Sequence, residues 1–355
     1  MIKPFLTKLK VIFRRLLGKC VYGYVYLKNS LQSLLNTPQT DTRHHRRKHK
    51  KSILNIISAI LKSWKLSCLF FLGFFILYYG IGATISAQLK KPLTTDLTLS
   101  AKSIRHTPLA LTYVLKTQLD DSPWAPALPI IFPASILDNL PNFQLGVKDS
   151  AKYIVRRTAA ISNNISLKEA GDLLNYPADI WLFSQTIDGK LAPGSAKQYR
   201  KALALITEYN SEKENFSNAG TTELLYQLKS LENILNHQVN IIHKHYQEHH
   251  NDFWDMKADN IFYRAQGNIF TVYYVLNALT KDYQHIIISS EQYENITTAL
   301  NYLQEAEKLS PLIIKNGSTS DLFTSNHLLY LAYYISRAEN YIQTITTNLK
   351  QYTKE

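Results

Sequence analysis

Cysteine is nearly absent: the 355 residues hold two, Cys20 and Cys68, and nothing after position 68 carries a thiol. That excludes a disulfide framework, a Cys-based zinc site and a cysteine nucleophile from all that follows. Glycine signatures are missing as well. No GxSxG elbow, GxxxxGK[ST] loop or GxGxxG turn occurs, so serine-hydrolase, P-loop and dinucleotide-binding chemistry have no motif and no cofactor is expected. Sustained alternation of apolar and polar residues is lacking too, which argues against a sheet of any size. Acids are the last scarcity, and it is local. Residues 1–65 contain 15 Lys and Arg against one acid, Asp41, whereas residues 66–355 carry 25 against 26. The formal charge of +13 therefore belongs to one segment.

Next to that segment lies a run with no charge at all. LSCLFFLGFFILYYGIGATISAQL, residues 66–89, has 24 residues between Lys65 and the pair Lys90 and Lys91. At about 1.5 Å per residue it reaches roughly 36 Å, enough to cross a hydrocarbon core of about 30 Å. The basic excess before it orients the N-terminus to the cytoplasm. Its small-residue cleavage pattern is poor, because Ile85 stands near the best candidate site, Ala87. An uncleaved signal-anchor is the expectation: a single-pass protein of the bacterial inner membrane, with the lipid bilayer as partner. Residues 90–102 then read as a linker and residues 103–355 as a periplasmic domain.

Within the basic segment, Phe5, Leu9, Ile12, Phe13, Leu16 and Leu17 recur at helical spacing among Lys8, Lys10, Arg14, Arg15 and Lys19. Ile53, Ile56, Ile57, Ile60, Leu61 and Trp64 form a second stripe leading into the span. Between them runs DTRHHRRKHKK, residues 41–51, a solvated linker whose cations gain about 1 kcal/mol each near an anionic surface. Anionic lipid headgroups are thus the expected partner of this segment. A nucleic-acid role is not expected, since no aromatic interleaving or base-reading fold accompanies the charge.

Beyond residue 102 the periodicity is helical: 108–119, 143–161, 167–175, 195–216, 220–248, 255–281, 289–309 and 325–350. Ser166 with Glu169 three residues on reads as a capping box. Pro123, Pro126, Pro129, Pro133 and Pro141 predict an irregular connection over 120–141, and residues 176–195 predict a second. The fold class is mainly α: a single transmembrane helix plus an extracytoplasmic helical bundle with proline-rich irregular connections. ALNYLQEAEKLSP, residues 299–311, resembles one helix of a tetratricopeptide repeat, but nothing recurs 34 residues away.

The segments ILDNLPNFQLG (136–146), LLNYPADIWLF (173–183), SAKQYRKALALITEYN (195–210), ADNIFYRAQGNIFTVYYVLNAL (258–279) and NHLLYLAYYISRAENYI (326–342) have a combined likeness. In order, over roughly residues 66–350, they resemble a proteobacterial family of membrane-anchored proteins catalogued as domain of unknown function 2333. The resemblance implies an inner-membrane anchor and a helical extracytoplasmic domain. It brings no activity, cofactor or catalytic residue, and the basic segment is longer than the family pattern, so no role is carried over to it.

Candidate chemistry is sparse. His245 and His249 share a helix face beside Glu248, the best metal-like spacing in the chain, but without the HExxH order of a zinc hydrolase. Exposed histidines near a helix end are the commoner outcome. Asp138, Asp179 and Asp259 are the candidate catalytic carboxylates, with Asp172 and Asp255 nearby in sequence and Tyr199, Arg200, Tyr263, Arg264 and His327 in the matching segments; a pair of them suits acid–base cleavage of a glycan. Caps and ion pairs are the blander role for the same residues. Trp124, Trp181 and Trp254 fall in or beside loops, where they either stack on a sugar or plug the bundle ends. The expected function is an envelope structural or interaction protein that binds another envelope protein or a cell-wall component. The alternatives are an enzyme of peptidoglycan or lipid metabolism using paired carboxylates, and a transmembrane signalling adaptor.

Overall fold

The computed structural model describes residues 68–82, 84, 104–129, 132–136, 138–185, 191–212, 220–249, 255, 257–311, 314–317 and 326–352. The basic segment, the linker 90–102, Trp64 and Trp254 lie outside them. Residues 68–82 are one helix, and its large apolar side chains, among them Leu69, Phe71, Leu72, Phe75, Ile76 and Leu77, are exposed. The rest of the expected span 66–89 lies almost wholly outside the described residues, and among those described no helix is long and apolar enough to cross a membrane.

The larger unit is a helical bundle, described by itself. Its elements in chain order are α1 (His106–Leu119), a 3-10 turn (Ala125–Ala127), α2 (Pro133–Ile136), α3 (Asn139–Ser162), α4 (Ile165–Leu174), β1 (Phe183–Gln185), β2 (Leu191–Pro193), α5 (Ser195–Tyr209), α6 (Thr221–His249), α7 (Ala258–Asp282), α8 (Gln284–Ser289), α9 (Tyr293–Lys308) and α10 (His327–Tyr352). Helix α7 is the centre: α1, α3, α6, α8, α9 and α10 all pack on it. Its buried residues run nearly unbroken from Ala265 to Leu279, the pattern of a helix enclosed on every side. Around it one continuous hydrophobic core joins all the long helices.

Two glycines set the closest packing. A Cβ on Gly146 of α3 would fall 2.2 Å from the Arg264 carbonyl oxygen, and one on Gly267 of α7 would fall 2.1 Å from that of Phe143. The backbones therefore touch where α3 and α7 cross. Asn142 donates to Asn260 at 2.7 Å and Ser150 to Asn268 at 2.5 Å, both 118 residues apart, so the two helices run parallel and in register. Helix α6 runs the other way: Gln227 donates to Thr158 and Asn233 to Tyr153.

Element boundaries depart from the sequence reading at identifiable places. Helix α3 begins at Asn139, with Pro141 inside its first turn, where a missing N–H costs no helical bond. Asn163 takes a left-handed φ of 50° and ends α3; Asn164 then caps α4 by accepting from Leu167 N–H at 2.9 Å, displacing the expected Ser166 cap. The helix expected to reach 216 stops at Tyr209. Asn210 brackets the backbone of Arg105, accepting at 2.9 Å and donating at 3.0 Å, which fixes the chain entering α1. Glu291, at φ 59°, separates α8 from α9, so the helix expected from 289 begins at Tyr293, and α8 fills a gap the sequence reading left between 281 and 289. Within 176–195 the chain makes a two-stranded hairpin, with Phe183 opposite Pro193 and Gln185 opposite Leu191.

Candidate functional site

Helix α6 is tied to its neighbours near both ends and, through Asn233 and Tyr153, between them. Near its start Gln227 bonds Thr158 at 2.7 Å. Near its end His245 Nε2 lies 2.7 Å from Asp255 Oδ2, both side chains more than nine-tenths buried. Side chains of α3, α6 and α7 line a cleft of about 830 Å³. Its walls are amide-rich: Asn142 from α3, Asn233 and Gln238 from α6, Asn260 and Asn268 from α7. Asn142 spends a donor on Asn260, Asn233 one on Tyr153, and Asn268 is taken by Ser150 and the Arg264 carbonyl; the amide capacity left over suits hydroxyl, acetamido and peptide groups. His237 and Tyr153 also line it.

The cleft has one carboxylate and an excess of cations. Asp149 meets Lys148 at 2.8 Å, Lys152 at 3.4 Å and Arg264 at 2.5 Å. Burial pushes the Asp149 carboxyl up, but Lys148 and Arg264 outweigh it and hold the group below the usual carboxylate range. Asp149 is therefore ionised and serves to position cations, not to donate a proton. Of these groups, Asp149, Lys152 and Arg264 line the cleft, with Lys148 buried behind Asp149, so cations outnumber the carboxylate and the local field favours an anionic ligand group.

The sequence-predicted carboxylates separate. Asp138 and Asp259 stand at the adjacent N-termini of the parallel helices α3 and α7. Burial first and the charge of Asp138 second raise the Asp259 carboxyl above its ordinary value, and burial with both carboxylates raises the neighbouring Tyr263 phenol. Two parallel helices put two positive dipole ends side by side, and carboxylates there offset the repulsion. Asp179 is elsewhere: it is exposed on the connection after α4, close enough to Tyr199 to help raise that buried phenol. Asp172 forms an exposed pair with Arg156 at 2.7 Å. Asp255 caps α7, accepting from the Lys257 and Ala258 N–H groups at 3.1 Å each. Burial opposes its charge, but His245, the Lys257 N–H and Asn316 stabilise it and hold the carboxyl low.

The other sequence candidates take structural places. His245 joins Asp255, and the His249 ring lies 4.6 Å from that of His245. Among the described residues no three His, Cys, Asp or Glu side chains converge as a metal site. Trp124 is buried, donates to the Ala178 carbonyl at 2.8 Å and packs edge-on to Tyr199. Tyr199 donates to Tyr176 O, and Arg200 pairs with Asp120. His327 accepts from Lys315 N–H, and burial together with Lys315 holds its pKa below the usual imidazole value.

Sequence reasoning singled out only Arg264 among the cleft residues. A signal for the rest was there: Asn260, Arg264 and Asn268 fall four apart on an otherwise apolar helix, as do Asn233 and His237 on α6.

Residues 219–351 match the family described as an uncharacterized protein conserved in bacteria, DUF2333. The match covers α6 to α10, and with them the α6 and α7 walls of the cleft but not the α3 wall. No curated protein and no solved structure matches the chain.

Proposed function

We propose that this chain is a binding protein of the bacterial envelope whose cleft between α3, α6 and α7 holds a hydrogen-bond-rich ligand bearing an acidic group, as a cell-wall glycopeptide does. The observation that carries the reading is the composition of the cleft: five carboxamides beside a carboxylate held by three cations. In the same proposal residues 66–89 form a single span of a proteobacterial inner membrane, the basic residues 1–65 lie against anionic lipid in the cytoplasm, and the bundle is periplasmic. The uncharged run, its charge asymmetry and the exposed apolar surface of helix 68–82 support that setting.

The test is titration calorimetry of the full-length protein in nanodiscs, with soluble muropeptides as ligand and neutral chitooligosaccharides as comparison. Muropeptides should bind more tightly than the neutral sugar. Lys152→Ala with Asn233→Leu should weaken muropeptide binding by about tenfold or more. Equal, or absent, binding of both ligands excludes the cleft as an acidic-glycopeptide site.

One observation favours the enzyme reading, the raised carboxyl of Asp259 beside Asp138. If these two act on a glycan as acid and base, Asp138→Asn and Asp259→Asn each abolish release of reducing ends from purified peptidoglycan while leaving muropeptide binding intact. If neither variant changes any turnover, the pair is a capping device at the helix N-termini.

A further inference from the structure

Four of the five carboxamides in the cleft are committed to protein partners. Asn142 and Asn260 bond each other at 2.7 Å, Asn233 donates to the Tyr153 hydroxyl at 3.1 Å, and Asn268 joins Ser150 and the Arg264 carbonyl. Gln238 is different. It is only 6 % exposed and lines the cleft, yet its carboxamide makes no hydrogen bond among the described residues. Burying an amide without a partner is unfavourable, and folded chains seldom keep one with no use for the group. Its neighbours on the same face of α6 are apolar. Ile234 stands one turn before it and Ile241 one turn after, both lining the cleft, and Ile261 of α7 lines it too. A donor and an acceptor with nothing to bond are therefore set in an isoleucine frame.

We propose that Gln238, framed by Ile234 and Ile241, is the subsite for a secondary amide that carries a methyl group. A bare hydroxyl would bond the carboxamide but leave the isoleucines wet, and an aliphatic group would cover the isoleucines but leave the carboxamide unpaired. A methyl-bearing amide answers both. Because a trans amide points its N–H and C=O in opposite directions, Gln238 takes one of them, as donor or as acceptor, and the other is left to the opposite wall or to water. Two parts of a cell-wall glycopeptide have this chemistry, the acetamido group of an amino sugar and an alanyl amide of the peptide. The inference rests on the cleft reading above and refines it: Lys152 and Arg264 meet the acidic group, and Gln238 selects the amide.

The experiment is calorimetry on the full chain in nanodiscs with three probes: a muropeptide, the same muropeptide with hydroxyls in place of its acetamido groups, and its sugar-free stem peptide. The hydroxyl exchange adds no charge, so the cationic field of the cleft acts alike on both muropeptides. The parent protein should bind the hydroxyl analogue about tenfold or more weakly, and Gln238→Leu or Gln238→Met should shrink that ratio below about twofold. If the parent treats the two muropeptides alike and both variants weaken the stem peptide about tenfold, the alanyl amide is the group held. Binding of all three probes that neither variant alters overturns the inference and leaves the cleft reading standing, whereas no binding by the parent overturns both. Ligand-free Gln238→Met, close in shape to the parent, should melt no lower, because the amide it removes has no partner to lose. A lower midpoint means that the amide works inside the fold, and it too overturns the inference.

Discussion

Helix 68–82 and the 265–279 stretch of helix α7 are both largely apolar, yet one is exposed and the other is enclosed in the bundle. The difference lies in what accompanies the apolar residues. Helix α7 carries Gln266, Asn268 and Thr271 among its buried residues, and each is satisfied: Gln266 donates to Leu309 O at 2.9 Å, Asn268 donates to Arg264 O at 2.9 Å and accepts from Ser150, and Thr271 donates to Gly267 O at 3.2 Å. It also carries Gly267, which only a close-packed neighbour makes useful. Helix 68–82 has no amide side chain, and Gly73 and Gly80 have nothing within 4 Å of a would-be Cβ. An all-round apolar helix belongs either in a protein core or in lipid. Embedded amides with partners mark the first; their absence from helix 68–82 accords with the membrane setting proposed above.

The largest effect that separates the two comes from charging the exposed one. Leu72→Lys with Phe75→Lys should add about 6 kcal/mol to the free energy of membrane insertion, moving the chain from the alkali-resistant membrane fraction to the extractable one. The thermal midpoint of the bundle should not move. A chain that stays in the membrane fraction breaks the comparison, because it means lipid is not what surrounds this helix. Next in size is Gly267→Leu on α7, which must force the α3 backbone away and should cost about 3 kcal/mol or more of bundle stability in a denaturant titration. A loss below about 1 kcal/mol would show that the α3–α7 crossing adjusts freely, contrary to a close-packed interior.

How far these regions are legible in the sequence follows from the length of the signal each emits. Helix α7 announces itself over 25 residues and is read to within three residues at either end. The hairpin strands span three residues each, too short for alternation to register, so residues 176–195 read only as irregular. Pro141 misled for a physical reason: a proline that excludes a helix interior is welcome in a first turn, and nothing local distinguishes the two. The cleft was least visible. It is lined by α3, α6 and α7 together, and the ties at Gln227 and His245 join residues remote in sequence or separated by a loop. Asp138 and Asp259, by contrast, were picked from sequence as loose candidates, and the parallel register of α3 and α7 is what brings them together.

The smallest effects test the N-terminus of α7, where two carboxylates four residues apart should respond to pH in opposite senses. The folded state holds Asp255 below its ordinary carboxyl value, so its contribution is present at neutral pH and is lost as pH falls through the unfolded and then the folded value. Asp255→Asn should therefore cost about 1–3 kcal/mol at neutral pH, and the gap to the parent protein should close below about pH 4. Asp259 is raised, so its ionisation opposes folding: the penalty is absent below the unfolded value and complete above the folded one. Asp259→Asn should stabilise the bundle at neutral pH by less than about 1 kcal/mol, since a half-exposed group is screened by solvent, and the gain should vanish in acid. Unfolding curves of both variants across pH 3 to 8 on the scale of ordinary carboxyl and imidazole titration, about that window, decide it. Parallel responses would mean that one dipole end governs both groups, whereas opposite responses would assign Asp255 to holding α7 against α6 and leave Asp259 as a strained residue retained for something other than stability.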